Sequence, residues 1–260
     1  MNFKTIMLTI LLLILAITSF IFLKKSHIRQ KNSDTFIVGT TAGYAPFVSI
    51  NSQGEYEGFD IDISNVLAKE MNKKLTIKDL GSMTSLLTAL EQGSIDAIIW
   101  GMSITQDRLK KVAMIHYQGE TTTSYPLIFW QTIPTTIKSI SDMQGKTICV
   151  EPASSQDAVL NKYSKINKLP VEKIDDALLN IQYGKADAAL TEPAIAKKFK
   201  NKYPEIQILN VPLAQEDQVE GIGIVLKKEN ATLIDKIEQA VKNLKNSGII
   251  TQLEQKWDIS

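Results

Sequence analysis

Leu87-Thr-Ala-Leu-Glu-Gln-Gly-Ser-Ile-Asp-Ala-Ile-Ile99 aligns without gaps on Leu178-Leu-Asn-Ile-Gln-Tyr-Gly-Lys-Ala-Asp-Ala-Ala-Leu190, pairing Gly93 with Gly184, Asp96 with Asp187 and Ala97 with Ala188. Each copy reads as the end of an amphipathic helix, a glycine stop and a short apolar strand. Outward from the first copy, residues 36–40 are an apolar strand feeding a Gly/Thr/Pro-containing loop, and 51–54 are hairpin-like. Asp60 is a plausible N-cap for a helix carrying Ile61, Ile63, Val66, Leu67 and Met71, and 75–80 and 96–100 are strands. Around the second copy, 147–150 is a strand, 156–163 a helix, 171–174 a weaker strand, a helix starts at Asp175, and 188–191 is a strand. This alternation specifies the α/β class, with two doubly wound, mostly parallel units and ligands at the carboxyl ends of the strands. Turns of this kind favour Gly and Asp in general, so the echo speaks to shared architecture rather than shared function.

The 260 residues carry 29 Lys+Arg against 28 Asp+Glu, a formal charge of +1, which removes any general attraction to nucleic acid. With 44% hydrophobic and 22% charged residues, disorder, collagen-like repeats and a many-span membrane protein are excluded. One cysteine, Cys149, forbids an intramolecular disulfide, a thiolate zinc cage or an iron–sulfur cluster, and two histidines leave little for metal. No cofactor and no metal site are expected. Residues 5–23 are uncharged and almost wholly apolar, long enough to cross a bilayer, with Lys24, Lys25, Arg29 and Lys31 behind them. They read as a signal peptide or signal anchor within 1–32, even though the cationic cluster by itself favours keeping that side in the cytoplasm.

The soluble part divides into lobe 1, residues 33–122 and 215–260, and lobe 2, residues 123–214. The chain crosses near 121–124 and again near 211–217, where apolar periodicity lapses and Pro212 intervenes. Leu233, Ile237, Ala240, Val241 and Leu244 make a last amphipathic helix stopped by Gly248, and 249–257 caps one lobe. A cleft lies between the lobes.

Trp100-Gly-Met-Ser-Ile-Thr-Gln-Asp-Arg108 leaves a strand end, turns at Gly101 and starts a helix near Thr105. Arg108 in that first turn opposes the helix dipole, and a guanidinium fork beside loop amides suits a carboxylate. A solvated surface arginine is the plainer alternative. Glu151-Pro-Ala-Ser-Ser-Gln156 occupies the matching loop, where Ser154, Ser155 and Gln156 cap a helix or donate to an anion. Glu192 before Pro193 is a cap candidate and equally a carboxylate able to receive an ammonium group. Gly145-Lys146-Thr147 lacks the earlier glycine of a phosphate loop, and Gly221-Ile-Gly223 lacks the third glycine of a dinucleotide fingerprint. Asp60 and Asp62 read as caps before a metal pair, Cys149 as core, and His116 has no visible triad partner. Met83 and Trp100 are core residues or pocket walls.

Together these residues resemble the type II periplasmic amino-acid-binding proteins of ABC importers, family 3 of the solute-binding proteins, over nearly the whole chain after residue 35. The likeness is carried by Val38-Gly-Thr, Tyr44-Ala-Pro-Phe47, Gly54 with Gly58-Phe-Asp-Ile-Asp62, Leu90-Glu-Gln-Gly-Ser-Ile-Asp-Ala97, Gly101-Met-Ser-Ile-Thr105 with Arg108, and Leu253-Glu-Gln-Lys-Trp257. The Gly-Met-Ser-Ile-Thr block, Leu190-Thr-Glu-Pro193 and the ending look closest to arginine-type binders. The resemblance implies that Arg108 holds the ligand α-carboxylate, helped by Ser103 and the Ser154–Ser155 loop, that Glu192 receives the α-ammonium, and that Tyr44 stacks on the ligand side chain. Family members that bind basic amino acids often carry acids at the places of Thr41 and Val48, and both are absent here. Met83 stands where an aromatic commonly faces Tyr44. Trp100 replaces a small residue, and its ring supplies a wall and a cation–π surface. By this resemblance the chain is an extracytoplasmic, monomeric, non-enzymatic binder that closes about a hinge on arginine or another polar amino acid and docks on a membrane permease. An anchored ligand-sensing domain and a cyclohexadienyl or arogenate dehydratase using Glu192 as its acid are the alternatives.

Overall fold

The computed structural model describes residues 34–259, and the apolar segment 5–23 lies outside the described residues. In the first sheet, β1 (Thr35–Thr40), β4 (Lys74–Asp79), β5 (Ala97–Ile98), β6 (Ala113–Thr122) and β12 (Val219–Leu226) are ordered β4-β1-β5-β12-β6. In the second, β7 (Ser124–Phe129), β8 (Thr147–Val150), β9 (Asn167–Pro170), β10 (Ala188–Leu190) and β11 (Gln207–Pro212) are ordered β11-β7-β10-β8-β9. A two-stranded ribbon, β2 (Ser49–Ile50) with β3 (Tyr56–Glu57), closes around the 51–54 turn.

The repeated stretch does the same mechanical job in each sheet. The helix α2 (Met83–Glu91) and its counterpart α5 (Asp175–Gln182) lead to Gly93 and Gly184, both in the left-handed region at φ +72° and +69°, which lets the chain turn back into the sheet without a Cβ penalty. Asp96 then clamps the start of β1, its backbone N–H donating to Ile37 O at 2.7 Å and its Oδ2 accepting from Ile37 N at 2.9 Å. Asp187 repeats this on Thr147, at 2.8 Å for both bonds. These brackets set the parallel registers Val38↔Ala97 and Ala188↔Ile148. The conserved spacing inside the chain is therefore a register device.

Both sheets are mixed: β12 runs antiparallel to β5 and β6, and β7 antiparallel to β10 and β11. The parallel β1–β5 and β8–β10 pairs form the centre of each winding. The strand expected at 171–174 is a correction, since the edge strand is β9, four residues earlier, parallel to β8. At the sheet margin only one side needs hydrogen bonds, so the mostly exposed Asn-Lys-Leu-Pro serves, while Val171 and Ile174 are buried under the following turn. The strand expected over 96–100 is also shorter, spanning Ala97–Ile98, which leaves Trp100 in the loop.

Between the sheets the chain passes from β6 to β7 through Thr123 alone, and from β11 to β12 through 213–218. Pro212 lies at the end of the edge strand β11, opposite Ser124. The helix α1 (Phe59–Glu70) starts after Gly58, so Asp60 is not its cap. Instead Asp60 is fully buried, its Oδ2 accepting from Gly101 N and its Oδ1 from Tyr117 Oη, both at 2.6 Å. Burial holds its carboxyl up at about 7, with both bonds pulling the other way. Asp62 accepts from Lys256 Nζ and Trp257 Nε1 at 2.7 Å, fastening α8 (Ile249–Lys256) to α1. Neither aspartate is free for a metal, and no group of three ligating side chains occurs among the described residues. The apolar stripe of α7 (Ala231–Asn246) is buried at Leu233, Ile237, Ala240, Val241 and Leu244. Cys149 is wholly buried in β8, its thiol pushed up to about 11 by desolvation.

Candidate functional site

Four parallel strands, β1, β5, β8 and β10, end facing one region, and each hands its next loop to it. From the first sheet come Thr41 and Tyr44 after β1, and Trp100, Gly101 and Ser103 after β5. From the second come the 151–156 loop after β8 and Glu192 after β10. Ligand sites in open α/β sheets form at such carboxyl ends. The 100–104 loop is pinned to β12 by Ile104 N to Gly221 O and Gly223 N to Met102 O, both 2.9 Å. Gly101 has φ +54°, and a Cβ there would sit 2.9 Å from the Tyr44 ring, so only glycine lets this loop close over the tyrosine.

Arg108 sits in the six-residue helix α3 (Gln106–Lys111), capped by Thr105 Oγ1 accepting from Arg108 N at 3.2 Å. Its guanidinium folds back under the loop: Nη1 donates to Ser103 O at 2.7 Å, and Nη2 to Ala153 O at 2.9 Å and to Met83 Sδ at 3.3 Å. Arg108 is thus no solvated surface arginine. Among the described residues its hydrogen-bond partners are carbonyls and a thioether, not an anion. Burial lowers its pKa, while Glu192, Tyr125, Tyr44 and Glu151 hold it up, so the cation sits in a field of acids drawn from both sheets.

Glu192 occupies the N-cap position of α6 (Pro193–Lys202) but makes no side-chain cap bond. Its Oε1 accepts from Ser103 Oγ at 2.6 Å, Gln156 Nε2 at 2.7 Å and Ser155 Oγ at 3.4 Å. The capping role goes to Ser154, whose Oγ accepts from Asp157 N at 3.0 Å and starts α4 (Ser155–Leu160). Of the loop hydroxyls only Ser155 enters the site, within 3.4 Å of Ser103 Oγ. Ser103–Glu192 and Arg108–Ala153 tie the two sheets' loops directly together.

Tyr44 and Trp100 form the aromatic wall, centroids 5.0 Å apart at 47°, both buried. Desolvation, then Glu192, Glu151 and Asp60, raise the Tyr44 pKa well above its usual value. Met83 is the first residue of α2 rather than a loop residue, and touches Arg108. Thr41 stands apart: its hydroxyl donates to Thr40 O at 2.9 Å and joins no other site group. A crevice of about 260 Å³ reaches Ser103, Gly101, Phe47 and Glu192 from one side. A wider one of about 850 Å³ reaches Arg108, Ala153, Ser154 and Ser155 from the other.

Sequence reasoning missed two contributors. Tyr125, in β7, is buried within electrostatic reach of Glu192 and Arg108, and burial raises its hydroxyl pKa. Glu151 is 7% exposed, and its Oε1 has no hydrogen-bond partner among the described residues. Burial pushes its carboxyl up to about 8, Arg108 opposing and Glu172 and Glu192 adding to the rise. Its position directly after β8, matching Glu192 after β10, was the available signal.

Two wound sheets with opposed loops converging on a guanidinium and a carboxylate define the type II periplasmic-binding architecture. Residues 36–259 match the bacterial extracellular solute-binding proteins, family 3, and the chain belongs to that family. It is 33% identical over 235 residues, covering 89% of this chain and 88% of the relative, to the probable ABC transporter arginine-binding protein ArtJ of Chlamydia trachomatis. It is 29% identical over 233 residues to the ABC transporter glutamine-binding protein GlnH of Bacillus subtilis, covering 87% and 82%. A solved mutant of ArgBP from T. maritima superposes with a TM-score of 0.79 at 30% identity, covering 88% of this chain and 97% of that one. The family is one of extracellular binding proteins, and no helix among the described residues is long and apolar enough to cross a membrane.

Proposed function

We propose that this chain captures a free α-amino acid, arginine or another polar one, outside the cytoplasm and delivers it to an ABC permease. The observation that carries the reading is the opposition of Arg108 on one sheet's loops and Glu192 on the other's around one buried point, with Ser103 and Ser155 between them. A zwitterion needs such a pair: the guanidinium fork takes the α-carboxylate, displacing its carbonyl partners, and Glu192 takes the α-ammonium with Ser103 and Ser155. Tyr44 and Trp100 flank the side chain. Residues 33–122 with 215–260 and residues 123–214 act as lobes that close about the crossings at Thr123 and 213–218. The closed form gains contacts that neither lobe makes alone. Arginine as ligand is supported by the relatives named for it, and glutamine by GlnH. Export is driven by residues 5–23.

Titrating the full-length chain with amino acids while following tryptophan fluorescence tests this, because Trp100 lies in the site. Saturable change with at least one amino acid is expected, and none with any would sink the reading. The dehydratase alternative would have Glu192 protonate a leaving group through Oε2, because Oε1 accepts from Ser103 and Gln156. Turnover of prephenate or arogenate would support it.

A further inference from the structure

The site holds two second-sheet carboxylates and one guanidinium, and their hydrogen bonding is unequal. Glu192 Oε1 has donors from Ser103, Gln156 and Ser155. The guanidinium is engaged with Ser103 O, Ala153 O and Met83. Glu151, more deeply buried than either, has an oxygen that no side-chain or backbone donor of the described residues reaches. Asp60, the third acid near Tyr44, is occupied by Gly101 N and Tyr117 Oη. A buried carboxylate without a donor is costly, and proteins keep one chiefly where something else satisfies it.

We infer that Glu151 is the specificity residue for the ligand side chain and that it selects a cationic group, a guanidinium or ammonium, over a neutral one. This rests on the amino-acid-binding reading above. A zwitterionic backbone adds no net charge, so Arg108 balances Glu192 and an ionised Glu151 is left uncompensated. Beside a neutral side chain Glu151 keeps its proton, whereas a cationic side chain compensates the ionised form and is favoured by it. The placement fits, because both Tyr44 and Arg108 of the opposite sheet feel the Glu151 charge. On the first sheet the nearby acid, Asp60, is already engaged by Gly101 N and Tyr117 Oη, so the available counter-charge comes from across the cleft. The raised Glu151 carboxyl, at about 8, is what burial without a partner produces, Arg108 opposing and Glu172 and Glu192 adding to it.

The test compares arginine with citrulline, its neutral isostere, by calorimetric titration of the full-length wild type and Glu151→Gln. The wild type should favour arginine at least tenfold, about 1.4 kcal/mol. Glu151→Gln should lose at least tenfold for arginine while binding citrulline within threefold of wild type. Equal wild-type affinities overturn the inference without reference to any variant, as does a loss for arginine below tenfold in a Glu151→Gln protein that still binds citrulline. A wild type that binds no amino acid at all overturns instead the reading on which the inference rests.

Discussion

Arg108→Ala separates binding from stability, and the structure says by how much. The substitution removes hydrogen bonds of 2.7 and 2.9 Å to Ser103 O and Ala153 O. Ala153 lies on the wall of the 850 Å³ crevice, so water can replace the donor there. Each lost bond costs about 0.5–1.5 kcal/mol, offset by release of a desolvated cation, and the net change in folding free energy should stay within about 2 kcal/mol. Binding should suffer more. Two charge-assisted bonds to an α-carboxylate are worth about 1.5–3 kcal/mol each, a loss of roughly a hundredfold or greater in Kd. Calorimetric titration with the amino acid that wild type binds best, alongside urea unfolding monitored by circular dichroism, measures both. A Kd within tenfold of wild type would refute the carboxylate role. Loss of binding together with more than about 4 kcal/mol of stability would show Arg108 to be a structural strut instead.

Three further outcomes follow from the same geometry. The Asp60 carboxyl is held at about 7 in the folded protein against 3.8 ordinarily. The folded state therefore keeps a proton that the unfolded chain has lost, and this stabilisation is full below pH 4, declines as pH rises to 7 and is gone above it, a few kcal/mol in all. Asp60→Asn should flatten that part of the stability–pH curve in denaturant titrations, and an unchanged slope would exclude Asp60 as its source. Gly101→Ala forces a left-handed alanine and a Cβ 2.9 Å from the Tyr44 ring, so its melting temperature should fall by an amount equivalent to about 1–2 kcal/mol and ligand affinity should drop with it. Asp96→Ala and Asp187→Ala each remove a register bracket. The first, at a buried position, should cost about 1–3 kcal/mol in chemical unfolding and the second, partly exposed, less; the reverse order would contradict the bracket account.

The two wound units were legible because helix, glycine and aspartate recur at fixed spacing, and the brackets onto Ile37 and Thr147 show what that spacing is for. The long antiparallel partners β6 and β12 were not recognised as strands: in the edge strand β6 the period-2 pattern is short, with Ile115 and Tyr117 alternating with His116 and Gln118, and Gly221 and Gly223 break up the apolar run of the inner strand β12. Edge position hid β9. At the site, Arg108 and Glu192 stood out as charged groups in loops or first turns after strand ends, while Ser103 entered through the family resemblance. The roles of Asp60 and Glu151 depended on the folded surroundings, Gly101 and Tyr117 as distant donors for one and, among the described residues, no donor to Oε1 for the other. Thr41 was placed at the site by the family resemblance, but its hydroxyl is satisfied by its own neighbour's carbonyl.

The central claim is that opposed loops of the two sheets close on a free amino acid. Thermal unfolding of the full-length chain against the twenty amino acids, ornithine and prephenate tests it most directly. A ligand at a hundred times its Kd adds about 2.7 kcal/mol, a shift of several degrees. The account predicts such a shift with at least one amino acid, largest for one with a cationic side chain, and none with prephenate. No shift with any amino acid would contradict it.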